Sequence, residues 1–358
     1  LHTGIHSFPT RRSSDLRVLL IEAGEAAEAH PETLSADGFK DAFANDATMW
    51  PRMSTKLKNM GRKYLGTGRG MGGSGSVNGM VYTRGDAHDF DNWPAGWAYA
   101  DCEAAFAAVE AQLRPRPRPT TPFVRAFIAA CQGVGMAHED GLNTGDLAAK
   151  VGANAMNYEG AKRRSSYRAF IKEPMEEKGG ALRQNLRIVL RAEVQRVEFA
   201  EKNGNKKAVA VHYRKGDAKD SALQRVAVGK EVIFCAGALE TPRLLMLSGV
   251  GPAAHLQQLG IPVVQDAPGV GQHLQDHPNV AMFYRGSKAL DFSYPQVYAF
   301  DTADGKQAAP EMCWVLYAAP ASMQQAMKRM LPILALPDWL PARGKFTWAL
   351  RKLIDGAF

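Results

Sequence analysis

The segment from Gly66 to Asp86 has the composition that points most directly to ligand binding. It reads GTGRGMGGSGSVNGMVYTRGD and contains eight glycines among 21 residues. Glycine permits positive φ and lets backbone N–H groups approach a ligand closely, so such a loop can bind a pyrophosphate or the polar edge of a ring. A flexible linker is the alternative, but Arg69, Asn78 and the closing Met80-Val81-Tyr82 are not typical of linkers. We therefore interpret the segment as a ligand-binding loop.

Two other segments place a short apolar strand next to a group that could contact a nucleotide. Arg17–Glu22 reads RVLLIE, which is typical of a buried parallel strand, and an acid at the end of such a strand can bind ribose hydroxyl groups. The GxGxxG turn that would precede it in a dinucleotide-binding unit is absent. Glu231–Phe234 predicts a second buried strand, followed by a small-residue turn at Cys235–Ala238 and a helix over Thr241–Leu247. That helix N-terminus faces either an anionic ligand or a closely packed strand, and both alternatives stay open.

The remaining patterns predict the elements that would support these segments. An amphipathic helix is predicted over Ala98–Ala111, and a second helix passes through Ile128. Arg187–Val197 and Ala208–Tyr213 predict the two strands of a hairpin, joined by a turn at Lys202–Lys207.

Composition bounds the class of protein. A chain of 358 residues with 46% hydrophobic and 22% charged residues is long enough for two domains. Its apolar runs fall short of the ~20 residues that a membrane-spanning helix needs, so no membrane span is predicted. The net charge of +8 comes from scattered residues. The densest basic cluster, Arg114, Arg116 and Arg118, alternates with prolines, which indicates an extended surface connector over 112–123 and no nucleic-acid site.

Cysteine spacing gives no sign of a metal centre. Cys102, Cys131, Cys235 and Cys313 are far apart and form no CxxC pair, so neither a zinc site nor a disulfide framework is predicted. A cytoplasmic location is the default expectation.

The first sixteen residues are set apart from the rest. Ser7–Leu16, SFPTRRSSDL, matches the translation of a common sequencing-library adapter, and Leu1–His6 fits the indexed stretch before it. We therefore expect that residues 1–16 are not native and that native sequence begins inside a strand at Arg17.

Two segments, in order, resemble the signature motifs of the glucose-methanol-choline (GMC) oxidoreductases, and the sequence is choline or alcohol dehydrogenase-like. The first runs from Gly68 to Asp91 and includes Gly72-Gly73-Ser74 and Val77-Asn78. The second is Gly237–Gly251, GALETPRLLMLSGVG. The resemblance extends from Arg17 to about His277 and becomes diffuse after Pro278, which implies truncation at both ends.

The resemblance implies an α/β fold. It consists of a Rossmann-like FAD-binding domain built from discontinuous segments, 17–88 and 183–279, and an incomplete α+β substrate domain with an antiparallel sheet, 89–182 and 280–358. In such proteins the acid at Glu22 contacts the adenosine ribose, Val194 contacts adenine through its backbone, and Gly70 with Asn78–Val81 lies along the flavin and pyrophosphate. The residues expected to bind the cofactor are Glu22, Arg69, Gly70, Gly72, Gly73, Asn78, Gly79, Met80, Val81, Val194, Ala236 and Gly237.

The same resemblance bears on attachment of the cofactor and on catalysis. Some family members bind the flavin covalently through a histidine where this chain has Val77, so non-covalent FAD is expected. The family's base is a histidine near flavin N5, paired with a second His or Asn, in a segment that would follow Phe358. His277 lies in a turn near the cofactor domain, and we interpret it as a structural residue. No catalytic residue and no metal ligand is therefore assigned.

The function implied is that of an FAD-dependent enzyme fragment. The parent protein would oxidise a small-molecule alcohol by hydride transfer to flavin and pass the electrons to oxygen, a quinone or a carrier. The fragment itself is expected to have little or no activity. An NAD-dependent dehydrogenase and a non-catalytic nucleotide-binding module are the alternatives. The paired motifs favour flavin over NAD.

Overall fold

The computed structural model describes residues 16–55, 63–177, 179, 185–202, 204–216, 221–280, 282, 296–302, 308–316 and 343–357. The chain divides into two compact units. The first contains residues up to Glu25 together with 183–282, and the second contains 26–182 together with 283–358. Residues 26–88, which were expected in one domain with 183–279, thus pack within the second unit. Among the described residues no helix is long and apolar enough to cross a membrane.

The elements are numbered in chain order. The helices are α1 (Phe39–Ala44), α2 (Tyr99–Leu113), α3 (Pro122–Gly133), α4 (Glu173–Glu176), α5 (Gly237–Leu247), α6 (Ala253–Gln258) and α7 (Arg343–Ala357). The strands are β1 (Val18–Ile21), β2 (Met49–Trp50), β3 (Thr67–Gly68), β4 (Arg116–Pro117), β5 (Ala137–His138), β6 (Lys150–Ala153), β7 (Ala155–Met156), β8 (Tyr158–Glu159), β9 (Lys162–Arg163), β10 (Leu186–Val189), β11 (Ala192–Lys202), β12 (Asn205–Lys215), β13 (Leu223–Ala227), β14 (Val250–Gly251), β15 (Gln265–Asp266), β16 (Val297–Asp301) and β17 (Met312–Val315).

The first unit contains three sheets among its described residues, of which one is the short parallel pair β14–β15. Strands β1 and β10 pair in parallel, and β11, β12 and β13 form an antiparallel sheet in that order. The predicted hairpin is confirmed as β11–β12, with Gly204 at φ 71° in its turn. The strand predicted over Arg187–Val197 is interrupted, however, because Arg191 has a φ of 49° between β10 and β11. Helix α5 packs against β11, and Ser248 at its end accepts a hydrogen bond from the backbone of Val197.

The prediction of a buried strand at Glu231–Phe234 is wrong. The segment is not paired as a strand, and Ile233 is 50% exposed. A parallel strand needs hydrogen-bonding neighbours along its edges, and among the described strands β1 pairs only with β10. Within the described part of the chain, no strand pairs with this segment to bury its apolar side chains.

One buried cluster of the second unit lies between a sheet and a helix. The sheet has the strand order β17-β16-β6-β5, and α3 packs on it through Val124 and Ile128. Helix α3 begins where Pro122 occupies the first turn and the Thr121 hydroxyl accepts from the Val124 N–H. Both predicted helices are present as α2 and α3. The connector between them is extended, and its β4 pairs with β7.

Candidate functional site

The Gly-rich loop follows β3 in the second unit, and its backbone requires glycine at specific positions. Gly70, Gly72 and Gly73 have φ values of 120°, 93° and 53°. A Cβ at Gly72 would lie 2.1 Å from the Ser76 hydroxyl oxygen, and one at Gly68 would lie 2.5 Å from the Gly73 carbonyl. The loop is thus tightly folded on itself, in a left-handed backbone conformation of the kind that also occurs in anion-binding turns.

Neighbouring elements fix the position of this loop. The Arg69 N–H donates to the Thr48 carbonyl at 2.7 Å, and the Arg69 guanidinium lies 4.7 Å from the centre of the Trp50 ring. Val77 packs with Ala42 and Met49 in a buried cluster. The Val77 side chain is therefore part of a buried cluster.

The end of the loop turns sharply at Met80. Met80 has φ 65°, and its side chain is buried with Ala36, Met156 and Tyr158. Its N–H donates to Asn78 Oδ1 at 3.0 Å, and its carbonyl accepts from the Asn157 N–H. Any contact between Met80 and a ligand therefore comes from its main chain. Asn78 is exposed, Gly79 and Val81 are half-buried, and Val81 forms a bridge with Met156.

Arg163, which the sequence did not single out, lies beneath the loop. It is 1% exposed, and its Nη1 donates to the Gly75 carbonyl at 3.2 Å and to Asn78 Oδ1 at 2.8 Å. Burial lowers the pKa of its guanidinium to about 10. From sequence, the run Lys162-Arg163-Arg164 is indistinguishable from a solvated basic turn, so only the fold shows its burial.

The C-terminal part of the loop is anchored by charged side chains. Arg84 makes a bidentate ion pair with Glu110 at 2.6 Å, and burial raises the pKa of Tyr82 beside that carboxylate. The carboxylate of Asp86 is 1% exposed and accepts from the N–H groups of His88 and Leu147. Burial would raise the pKa of Asp86, but these hydrogen bonds outweigh it and hold that pKa below its usual value.

The first unit brings two of the predicted residues close together. Glu22 follows β1, its carboxylate accepts from the Gly24 N–H at 2.8 Å, and its carbonyl accepts from the Ala192 N–H at 2.9 Å. Val194 lies two residues further along β11, the edge strand of its sheet. The register shifts between Val194 and Arg196, so a β-bulge lies directly beside the residue expected to contact adenine.

Ala236 and Gly237 lie at the N-terminus of α5 and are exposed. Gly237 has φ 83°, and the helix that it opens continues for 11 residues despite Pro242 in its first turns. The unpaired N–H groups of a helix N-terminus favour an anion, and here they are open to solvent. Of the two alternatives left open by the sequence, close packing against the segment at 231–234 is the less compatible with this exposure.

The histidines within the described ranges hold no metal cluster and no evident base. No group of three or more His, Cys, Asp or Glu side chains in those ranges could bind a metal. His277 is exposed, in a segment without regular structure. In the second unit, each described histidine has a polar neighbour: His30 contacts Asn45, His88 contacts Asp86 and His138 contacts Asp140.

Each unit, taken by itself, presents groups that fit part of an FAD cofactor. In the second unit, the left-handed glycines favour residues without a side chain, the exposed Asn78 offers a hydrogen-bond donor and Arg163 carries buried positive charge. In the first unit, the N-terminus of α5 is exposed and offers N–H donors. FAD is a dianion through its pyrophosphate and carries carbonyl acceptors on its ring, so donors and positive charge suit it. Glu22 supplies the acceptor that ribose hydroxyl groups need.

Comparison with known proteins agrees with these features. Residues 18–279 match the family model described as GMC oxidoreductase. The oxygen-dependent choline dehydrogenase of Serratia proteamaculans is 32% identical over 320 residues, covering 80% of this chain and 54% of that protein. The chloroplastic fatty acid photodecarboxylase of Chlamydomonas reinhardtii is 32% identical over 293 residues, covering 77% and 47%.

A solved structure shows the same fold. Pyridoxine 4-oxidase from Mesorbium loti superposes with a TM-score of 0.71 at 26% identity, covering 84% of this chain and 61% of that one. This chain spans about half the length of the curated relatives that it matches. The family and its solved relatives are FAD-binding flavoproteins, which agrees with the cofactor inferred from the loop. Because the match covers most of its residues, the chain belongs to the GMC oxidoreductase family.

Proposed function

We propose that this chain is the cofactor-binding part of an FAD-dependent enzyme that oxidises a small-molecule alcohol. The observation that carries the proposal is the Gly-rich loop. Within the matched family segment, it combines left-handed glycines with an exposed Asn78 and a buried Arg163. The likeness to an oxygen-dependent choline dehydrogenase supports an alcohol as the substrate class.

The residues of each unit have distinct parts in this proposal. In the first unit Glu22 binds the adenosine ribose, the backbone of Val194 contacts adenine, and Ala236-Gly237 offer a helix N-terminus to the cofactor. In the second unit Arg69, Gly70, Gly72 and Gly73 form the turn around the pyrophosphate and flavin, and Asn78, Gly79, Met80 and Val81 continue along it. The close placement of Glu22 and Val194, and the positive φ values of the glycines, support these assignments.

The chemistry divides between cofactor and protein. When bound, FAD would supply the acceptor for the hydride that leaves the carbinol carbon of the substrate. The residues of this chain hold the cofactor by backbone and side-chain donors, and the packed cluster of Val77, Ala42 and Met49 keeps water from that side of the loop. No described histidine is proposed as the base that takes the hydroxyl proton.

The attachment of the cofactor is proposed to be non-covalent. Val77 has no nucleophilic atom, and its side chain is buried away from solvent. We expect that acid precipitation of the protein leaves the flavin in the supernatant. Flavin that stays with the precipitated protein would contradict this assignment.

The test of function uses protein expressed from the complete reading frame. A visible flavin spectrum together with alcohol-dependent reduction of a dye is the expected result. A flavin spectrum without turnover on a panel of alcohols would favour a non-catalytic nucleotide-binding protein. Absence of flavin would overturn the proposal.

A further inference from the structure

Arg163, at the end of β9, enters the proposed function only as a buried positive charge, and its hydrogen bonds have no role assigned there. One nitrogen, Nη1, makes both of its hydrogen bonds to the Gly-rich loop, at Gly75 and Asn78. Its Nε and Nη2 are buried and make no hydrogen bond within the described part of the chain. The side chain is therefore held in the protein interior mainly by its contact with the loop.

The neighbouring arginines are buried in a different way, because each pairs with a carboxylate. Arg164 is equally buried but pairs with Glu159 and Glu173, and Arg168 also pairs with Glu173. Arg163 has no carboxylate within ion-pair distance among the described residues, and burial is the sole cause of its lowered pKa. Burying an uncompensated charge costs stability, so a purely structural role would be served better by an apolar side chain.

The contact of Arg163 determines which way the Asn78 amide faces. Asn78 Oδ1 accepts two hydrogen bonds, from the Met80 N–H at 3.0 Å and from Arg163 Nη1 at 2.8 Å. Both partners are donors, so the oxygen must face them and the NH2 group must point away. The NH2 group makes no hydrogen bond within the described residues, and Asn78 is exposed.

We propose that Arg163 is a positioning residue that fixes the Asn78 amide so that its NH2 group donates to an acceptor oxygen or nitrogen of FAD. The inference rests on the proposed function, because it requires FAD to lie against the Gly-rich loop. The acceptor belongs either to the flavin ring or to the pyrophosphate, and both present the same hydrogen-bond chemistry to an amide donor.

A double-mutant cycle on FAD affinity tests the coupling between the two residues. In protein from the complete reading frame, Arg163→Met and Asn78→Ala are each expected to raise the Kd for FAD about tenfold, the loss of one well-placed hydrogen bond. In the Asn78→Ala background, Arg163→Met is expected to add less than about threefold, since the group that it positions is gone. Arg125→Met, which changes an exposed arginine of the same unit, is the control and should leave the Kd unchanged.

A second variant separates positioning from folding. Asn78→Asp keeps an acceptor for Arg163 and gives it a carboxylate partner, so the protein should unfold at a higher temperature without cofactor. It removes the NH2 donor, and we expect the FAD Kd to rise at least as much as in Asn78→Ala. Arg163→Lys retains one charged donor and should restore part of the affinity lost in Arg163→Met. A purely structural role would make affinity follow stability in all these variants.

The visible spectrum identifies the acceptor. A band shift shared by Asn78→Ala and Arg163→Met supports contact with the flavin ring, and unchanged bands with weakened binding support contact with the pyrophosphate. The inference would be overturned if Arg163→Met raised the Kd for FAD by the same factor in the unmodified protein and in Asn78→Ala. Tight FAD binding by Asn78→Asp would also overturn it. These outcomes differ from failure of the proposed function, in which the unmodified protein binds no FAD.

Discussion

At the scale of single residues, the Gly-rich loop shows why side chains are excluded where a ligand is expected. Gly72 combines φ 93° with a Cβ position 2.1 Å from the Ser76 hydroxyl. Gly75, in the same loop, has no positive φ and no atom within 4 Å of its Cβ position. The two glycines therefore form a matched pair for substitution. Gly72 is constrained by its φ and by the space around its Cβ position, and Gly75 is constrained by neither.

Gly72→Ala is expected to destabilise the protein by about 1–3 kcal/mol, because a non-glycine residue is strained at that φ and its methyl group displaces Ser76. Gly75→Ala is expected to change the free energy of unfolding by less than about 1 kcal/mol. Urea unfolding of both variants measures the difference. Equal stability of the two variants would show that the loop is not constrained as described.

Asp86 is the second residue whose role can be tested, and its contribution to the free energy of unfolding depends on pH. Its folded-state pKa lies below the unfolded value of 3.8, so its contribution to stability is present above about pH 4 and is lost as pH falls through the folded pKa. Asp86→Asn places an NH2 group or a weaker acceptor against the N–H of Leu147 or His88. We expect a loss of about 1–3 kcal/mol at neutral pH that shrinks below pH 4.

Unfolding free energies measured between pH 3 and pH 7 check this expectation. Asp91→Asn, at an exposed carboxylate five residues further along, serves as the control and should follow the unmodified protein at every pH. A loss in Asp86→Asn that stays constant across this range would show that the carboxylate charge is not what stabilises the turn.

At the scale of elements, the contact between α5 and β11 holds the first unit together next to the predicted adenine contact. The hydroxyl of Ser248 donates to the Leu244 carbonyl at 2.6 Å and accepts from the Val197 N–H at 2.8 Å. Val197 is buried, and its N–H lies just beyond the β-bulge that follows Val194. The helix terminus thereby satisfies a backbone donor that the irregular strand would otherwise leave unpaired.

Ser248→Ala is expected to cost about 1–3 kcal/mol, since it leaves the buried Val197 N–H without an acceptor. Gln258→Ala, on the exposed side of α6, is the control and should have little effect. Hydrogen exchange gives the most local measurement: the Val197 amide should exchange faster in Ser248→Ala. Unchanged protection of that amide would mean that another group has replaced the hydroxyl.

Elements whose pattern is local could be predicted from the sequence. Helices α2 and α3 and the β11–β12 hairpin follow from periodicity and turn residues, and the Gly-rich loop follows from composition. Features that depend on distant partners could not be predicted. Glu231–Phe234 has the composition of a strand, but no described strand lies beside it. The role inferred for Arg163 depends on the fold, which places its Nη1 2.8 Å from Asn78 Oδ1. Such pairings are set by tertiary structure, which a single sequence does not display.

At the scale of the whole molecule, the predicted cofactor contacts are divided between the two compact units. Glu22, Val194 and Ala236-Gly237 belong to the first unit, and the Gly-rich loop belongs to the second. The family match runs through both, from 18 to 279. The central claim is the proposal that the protein binds FAD and uses it to oxidise an alcohol.

One measurement tests this claim most directly. Protein expressed from the complete reading frame is purified, and its visible absorption spectrum is recorded anaerobically before and after addition of a panel of small alcohols, choline among them. We predict a flavin spectrum that is bleached by at least one alcohol. A protein that shows no flavin band, even after incubation with FAD, would contradict the account.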